Sequence, residues 1–95
     1  MRMDRQLARQ IGCNALNPHI DVVLKPTAED EGYEISGTLE SIEKKNPEEI
    51  NDIVRAIVKA TNKAGYETTI DPAGVLRSKT VGDLVDEIRN SSSNG

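Results

Sequence analysis

Nowhere is the chain more constrained than between Asn46 and Gly65. Ile50, Ile53, Val54, Ile57, Val58 and Thr61 recur at steps of three, one, three, one and three, which puts them on one stripe of an α-helix. Asn46 is a capping residue type, Pro47 fits the first helical position, and Glu48 and Glu49 complement the positive end of the helix dipole. Gly65 supplies a left-handed stop, while Asp52, Arg55, Lys59 and Lys63 lie off the stripe. A one-sided helix of this kind needs a cover, because most helical stability comes from packing the apolar face. In a 95-residue chain with 36% hydrophobic residues, two Tyr and neither Trp nor Phe, that cover must come from Ile, Val, Leu and Ala. Such a core is thin and fits one domain, and a homodimer would add buried surface.

The flanking segments predict a small α+β domain over residues 1–90. Met3, Leu7, Ala8 and Ile11, with Asp4 before them and Gly12 after, predict a short helix over about 3–11. That helix docks through its stripe or, with the rest of 1–17, forms a loosely held arm. Ile20, Val22 and Leu24 alternate with Asp21, Val23 and Lys25, the two-residue rhythm of a strand. Tyr33, Ile35 and Leu39 then share one face against Glu34, Ser36, Thr38 and Glu40, so 33–43 reads as a second strand and the polar stretch 26–32 as a hairpin loop. Gly37 weakens that strand and marks a bulge or a close backbone approach. Tyr66, Thr68 and Ile70 predict a short third strand, closed by the turn Asp71-Pro72-Ala73-Gly74. Thr80 with Asp83 predicts a capped C-terminal helix with Val81, Leu84, Val85 and Ile88 inward, and residues 91–95 a flexible tail. The simplest assembly is a sheet with helices on one face.

Charge argues against some partners. The net charge is −4, and residues 26–50 hold two Lys/Arg against eight Asp/Glu. A phosphate backbone calls for a basic face and single strands for aromatic platforms, so nucleic acid is a poor partner. Only Arg2, Arg5 and Arg9 speak for it, and their plainer reading is a solvated helix face or a mobile arm. No apolar run reaches membrane-spanning length and the first residues are not those of a secretory signal, so the expectation is a cytoplasmic protein without a membrane. Cys13 is the only cysteine and His19 the only histidine, too few for a structural zinc site.

Thr80-Val81-Gly82-Asp83-Leu84-Val85-Asp86-Glu87-Ile88 resembles the last helix of acyl and peptidyl carrier proteins. Ile53 to Gly65 resembles that family's second helix, and Tyr66-Glu67-Thr68-Thr69-Ile70 is similar to the segment that follows it. The likeness covers about 52–88. It implies a serine at the opening of the second helix that carries phosphopantetheine. In the register of the last helix that position is Asp52, which cannot be esterified in this way. Gly37-Thr38-Leu39-Glu40-Ser41-Ile42-Glu43 is similar to the family's serine triplet, with Glu40 in place of Asp, and makes Ser41 the alternative attachment point.

Individual side chains point to no reaction. Glu29-Asp30-Glu31 is a run of carboxylates in a polar loop and reads as solvated. His19 stands in no recognised nucleophile motif and reads as a turn histidine. Gly65, Gly74 and Gly82 are too widely spaced for a phosphate cradle. The sequence therefore suggests a non-catalytic, cofactor-free interaction module. It would use the hairpin's sheet edge and the long helix's face on a protein partner or a second copy, with Tyr33, Ile35 and Tyr66 as contacts. The alternative is a divergent carrier with phosphopantetheine on Ser41.

Overall fold

The computed structural model describes residues 2–94. Five α-helices and one small two-stranded antiparallel sheet make a mixed fold: α1 (Arg5–Leu16), α2 (Ser36–Lys45), α3 (Pro47–Lys63), β1 (Tyr66–Thr68), α4 (Pro72–Leu76), α5 (Val81–Asn90) and β2 (Ser92–Asn94). Among the described residues no helix is long and apolar enough to cross a membrane.

The α3 stripe is buried as its spacing requires. Ile50, Ile53, Ile57 and Thr61 are all at most 1% exposed. Pro47 opens the helix and needs no N–H partner there, although the Asn46 side chain makes no capping bond. Gly65, at φ +95°, turns the chain out of α3 in a conformation L-residues avoid. The cover comes from α1 and α5: Ala8, Ile11 and Leu16 meet Leu84, Val85 and Ile88 in the same core. The start of α5 is as expected, with the Asp83 N–H donating to Thr80 Oγ1 at 3.2 Å while the Thr80 N–H donates to Asp83 Oδ2 at 3.2 Å.

Gly12 does not stop α1. The helix continues to Leu16, Gly12 stays in ordinary helical geometry, and Met3 and Ala8 are fully buried, so the segment is docked. A Cβ at Gly12 would lie 3.3 Å from Ile88 Cδ1 and 3.7 Å from Leu84 Cδ2. The glycine lets α1 lie against α5, and this close approach offsets the roughly 1 kcal/mol that glycine costs a helix.

The hairpin expected over 20–43 is absent, which corrects the sequence reading. Ser36–Lys45 is helix α2, and residues 20–28 are irregular. The reason is that Ile35 and Leu39, four apart, satisfy a helical spacing as well as an alternating one, and Ile42, three further on, fits the helix alone. The helical choice buries Ile35 and Leu39 completely. In the first segment the alternation buries little: Leu24 is inside, while Val22 and Val23 are 36% and 80% exposed. All that remains of extended pairing at 33–35 is one bridge between Glu34 and Thr80, flanked by Ile35 N–H to Lys79 O at 2.8 Å and Val81 N–H to Tyr33 O at 2.9 Å.

The third strand forms over Tyr66–Thr68 only, as β1, with Ile70 outside it, and its partner is β2, in the segment read as a tail. Tyr66 pairs with Asn94, Glu67 with Ser93 and Thr68 with Ser92. Gly95 lies outside the described residues. Asp71-Pro72-Ala73-Gly74 is the opening of α4 rather than a plain turn, with Asp71 Oδ1 accepting from the Gly74 N–H at 2.9 Å.

A Gly12→Leu substitution drives a side chain into Ile88 and Leu84 where a Cβ alone already crowds them. We expect a loss of about 1–3 kcal/mol, read as a lowered urea midpoint with an unchanged slope.

Candidate functional site

The first polar cluster is structural. Arg5 and Arg9 stand one turn apart on α1 and reach the same carboxylate, Glu31. Arg5 Nη2 donates to Glu31 Oε1 at 2.6 Å, Arg5 Nε to Oε2 at 3.1 Å, and Arg9 Nε also binds Oε2. Arg5 Nη1 adds Asp86 of α5 at 2.7 Å. The Glu31 side chain is only 17% exposed. The Arg5 and then Arg9 hydrogen bonds overcome the opposing effect of burial and hold its carboxyl down at about 2, while the bonds from Arg5 to Glu31 and then to Asp86 push the Arg5 guanidinium above its ordinary range. These are the arginines that could have signalled nucleic acid; Arg2 in turn donates to Asn90. The acidic run of the loop is likewise only partly solvated, since Asp30 Oδ2 accepts from the Lys25 N–H at 2.6 Å.

This anchoring fixes the long connection beside Cys13. The thiol is buried, lies 3.6 Å from the Lys25 carbonyl, and is pushed up by burial and then by the negative Asp30 and Glu31. A raised thiol is a poor nucleophile. Asn17 clamps the connection from the other side, its Nδ2 donating to Leu24 O at 3.1 Å and its Oδ1 accepting from the Leu24 N–H at 2.8 Å.

Two grooves remain. A polar one of about 510 Å³ is lined by His19 and Asp21, by Gly37, Thr38, Ser41, Ile42 and Lys45 of α2, and by Glu49 of α3. Ser41 is exposed on α2, not at the end of a strand. His19 Nδ1 sits 2.7 Å from Glu49 Oε2, the His19 side chain being 17% exposed. The second groove, about 320 Å³, runs between α1 and α3. Leu7, Ile11 and Ala15 form one wall and Ala56, Ala60 and Ala64 the other, with Gln10, Asn14 and Lys63 around them.

The residues expected to contact a partner are not brought together as a sheet edge. Tyr33 is 39% exposed, Ile35 is wholly buried and offers no surface, and Tyr66 is half-buried against the core. Asp52 lies in the second turn of α3, exposed and paired with Arg55. Among the described residues no group of three or more His, Cys, Asp or Glu side chains is arranged to hold a metal. The His19–Glu49 pair was missed in the sequence because its members are 30 positions apart. Comparison with known proteins gives no match to a family model, to a curated protein or to a solved structure.

The sign of the Glu31 effect is fixed by its depressed folded pKa. Its contribution is complete above the unfolded value near 4.5 and is lost as pH falls toward about 2. Glu31→Gln should therefore cost about 1.5–3 kcal/mol at neutral pH and flatten the decline of stability below pH 4.5, measured by urea unfolding across that range.

Proposed function

We propose that this chain is a small, acidic, non-catalytic module of the cytoplasm that acts through protein association, its contact surface being the groove between α1 and α3. What carries this reading is the groove's composition and dimensions. Ala56 and Ala60 of α3 and Ala64 at its C-terminal cap stand one turn apart, so their positions span about 12 Å along the axis. Ala56 and Ala64 are exposed and Leu7 is half-buried. A floor of small side chains between two helix walls suits an amphipathic helix that inserts apolar residues one turn apart, with Lys63, Gln10 and Asn14 meeting its polar flanks. This reading keeps the helix face of the expectation and drops the hairpin edge, since residues 20–43 form no hairpin.

A probe peptide tests it: an amphipathic helix with Leu at i, i+4 and i+7 and mixed Lys and Glu elsewhere. Amide shift changes should map to 7, 11, 15, 56, 60 and 64. Ala56→Glu, at an exposed position, should weaken binding by about tenfold or more, roughly 1.4 kcal/mol, with an unchanged urea midpoint. Scattered or absent shifts, equal binding by the variant, or self-association through the same groove in place of peptide binding would overturn the proposal.

A second reading has its own support. The carrier resemblance calls for helix and loop across 19–43, as observed here, and Ser41 is exposed on α2. On this reading Ser41 bears a phosphopantetheine arm. Incubation with coenzyme A and a broad-specificity phosphopantetheinyl transferase should add the arm's mass to wild type and not to Ser41→Ala; an unchanged wild-type mass removes the reading.

A further inference from the structure

The polar groove holds a combination that neither docking nor a transferase-installed arm uses. Gly37, Ser41 and Lys45 follow one another at successive turns of α2 along the groove. A Cβ at Gly37 would meet nothing within 4 Å, so the turn before Ser41 is open to an incoming group. Across from them His19 enters the same groove, and its Nδ1 is committed to Glu49 Oε2 at 2.7 Å. A carboxylate can only accept, so the Nδ1 proton points at Glu49, while Nε2 makes no hydrogen bond among the described residues. A hydroxyl, an imidazole and an orienting carboxylate thus line one groove, three of the group types that nucleophilic acyl transfer uses.

We propose that Ser41 is a covalent acceptor for activated acyl groups, with His19 Nε2 as the base and Glu49 as the positioning residue. Ser41 Oγ bonds to the carbonyl carbon of an aryl ester or thioester, and its proton passes to His19 Nε2. The bond from that carbon to the phenolate or thiolate breaks, and the leaving group takes the proton from His19. The products are an acyl-Ser41 ester and a free phenol or thiol, with no oxidant or further reactant. The mostly polar lining, with Asp21, Thr38 and Lys45, favours short or polar acyl chains. The acylation is stoichiometric, one acyl group per chain without turnover, and uses neither the α1/α3 groove nor coenzyme A, so its failure is distinguishable from the failure of either reading above.

The probe is p-nitrophenyl acetate, applied to the full chain. We expect p-nitrophenolate release to be matched by one acetyl group on Ser41, removed by hydroxylamine as an ester is and absent from Ser41→Ala. His19→Ala should slow acylation about a hundredfold, within the usual range for general-base assistance. Added imidazole should restore the rate, which a merely misfolded variant would not allow. Glu49→Asp should retain rate that Glu49→Gln loses. Acetylation confined to lysines, equal labelling of Ser41→Ala, or undiminished labelling of His19→Ala would each overturn the proposal.

Discussion

Between Asn17 and Ile35 the chain crosses the molecule with almost no backbone ladder, and the Glu31 carboxylate takes the ladder's place. Two arginines on one face of α1 converge on it, and one of them continues to Asp86 on α5, so the connection is tied to the same two helices that cover α3. The desolvation of a carboxylate is costly unless hydrogen bonds replace the lost water, and here two guanidinium groups do so. With that tie in place, Leu24 enters the core, Cys13 is closed off, and α2 begins where Ile35 can meet the backbone before α5. Both grooves depend on it indirectly, because each has one wall on α3 and the other on a segment positioned by the connection or by α1.

Parts of the structure with one strong periodic solution were legible. The α3 stripe, the Gly65 stop, the Thr80–Asp83 capping box and the strand at Tyr66–Thr68 are all where the spacing places them. The misreadings share a cause, which is that a local pattern admitted two solutions and tertiary packing chose between them. Ile35 and Leu39 fit either rhythm, and only the neighbouring α3 decides for the helix. Gly12 resembled a stop because its actual use, contact with Ile88, involves a residue far along the chain. Ser92–Asn94 has no apolar pattern at all, so its pairing with Tyr66–Thr68 left no trace in composition.

The candidate sites divide in the same way. Ser41 stood out through a local resemblance, and its exposure on a helix is a property of its own neighbourhood. His19 and Glu49 each looked ordinary, one in a turn and the other in the first turn of a helix. Their meeting is a product of the fold, as is the convergence of Arg5 and Arg9 on a carboxylate that read as solvated. Long-range polar pairs of this kind carry no sequence periodicity, whereas apolar stripes do.

The amide of Asn17 does for Leu24 what a neighbouring strand would otherwise do, giving and receiving one bond each. Val22 and Val23 are consequently displayed on a knuckle pinned by the Asn17 amide and, on either side, by Ile20 and Leu24 against the core. With so few backbone bonds across it, the knuckle's amide protons should trade with solvent through small local excursions while the helices beneath stay closed.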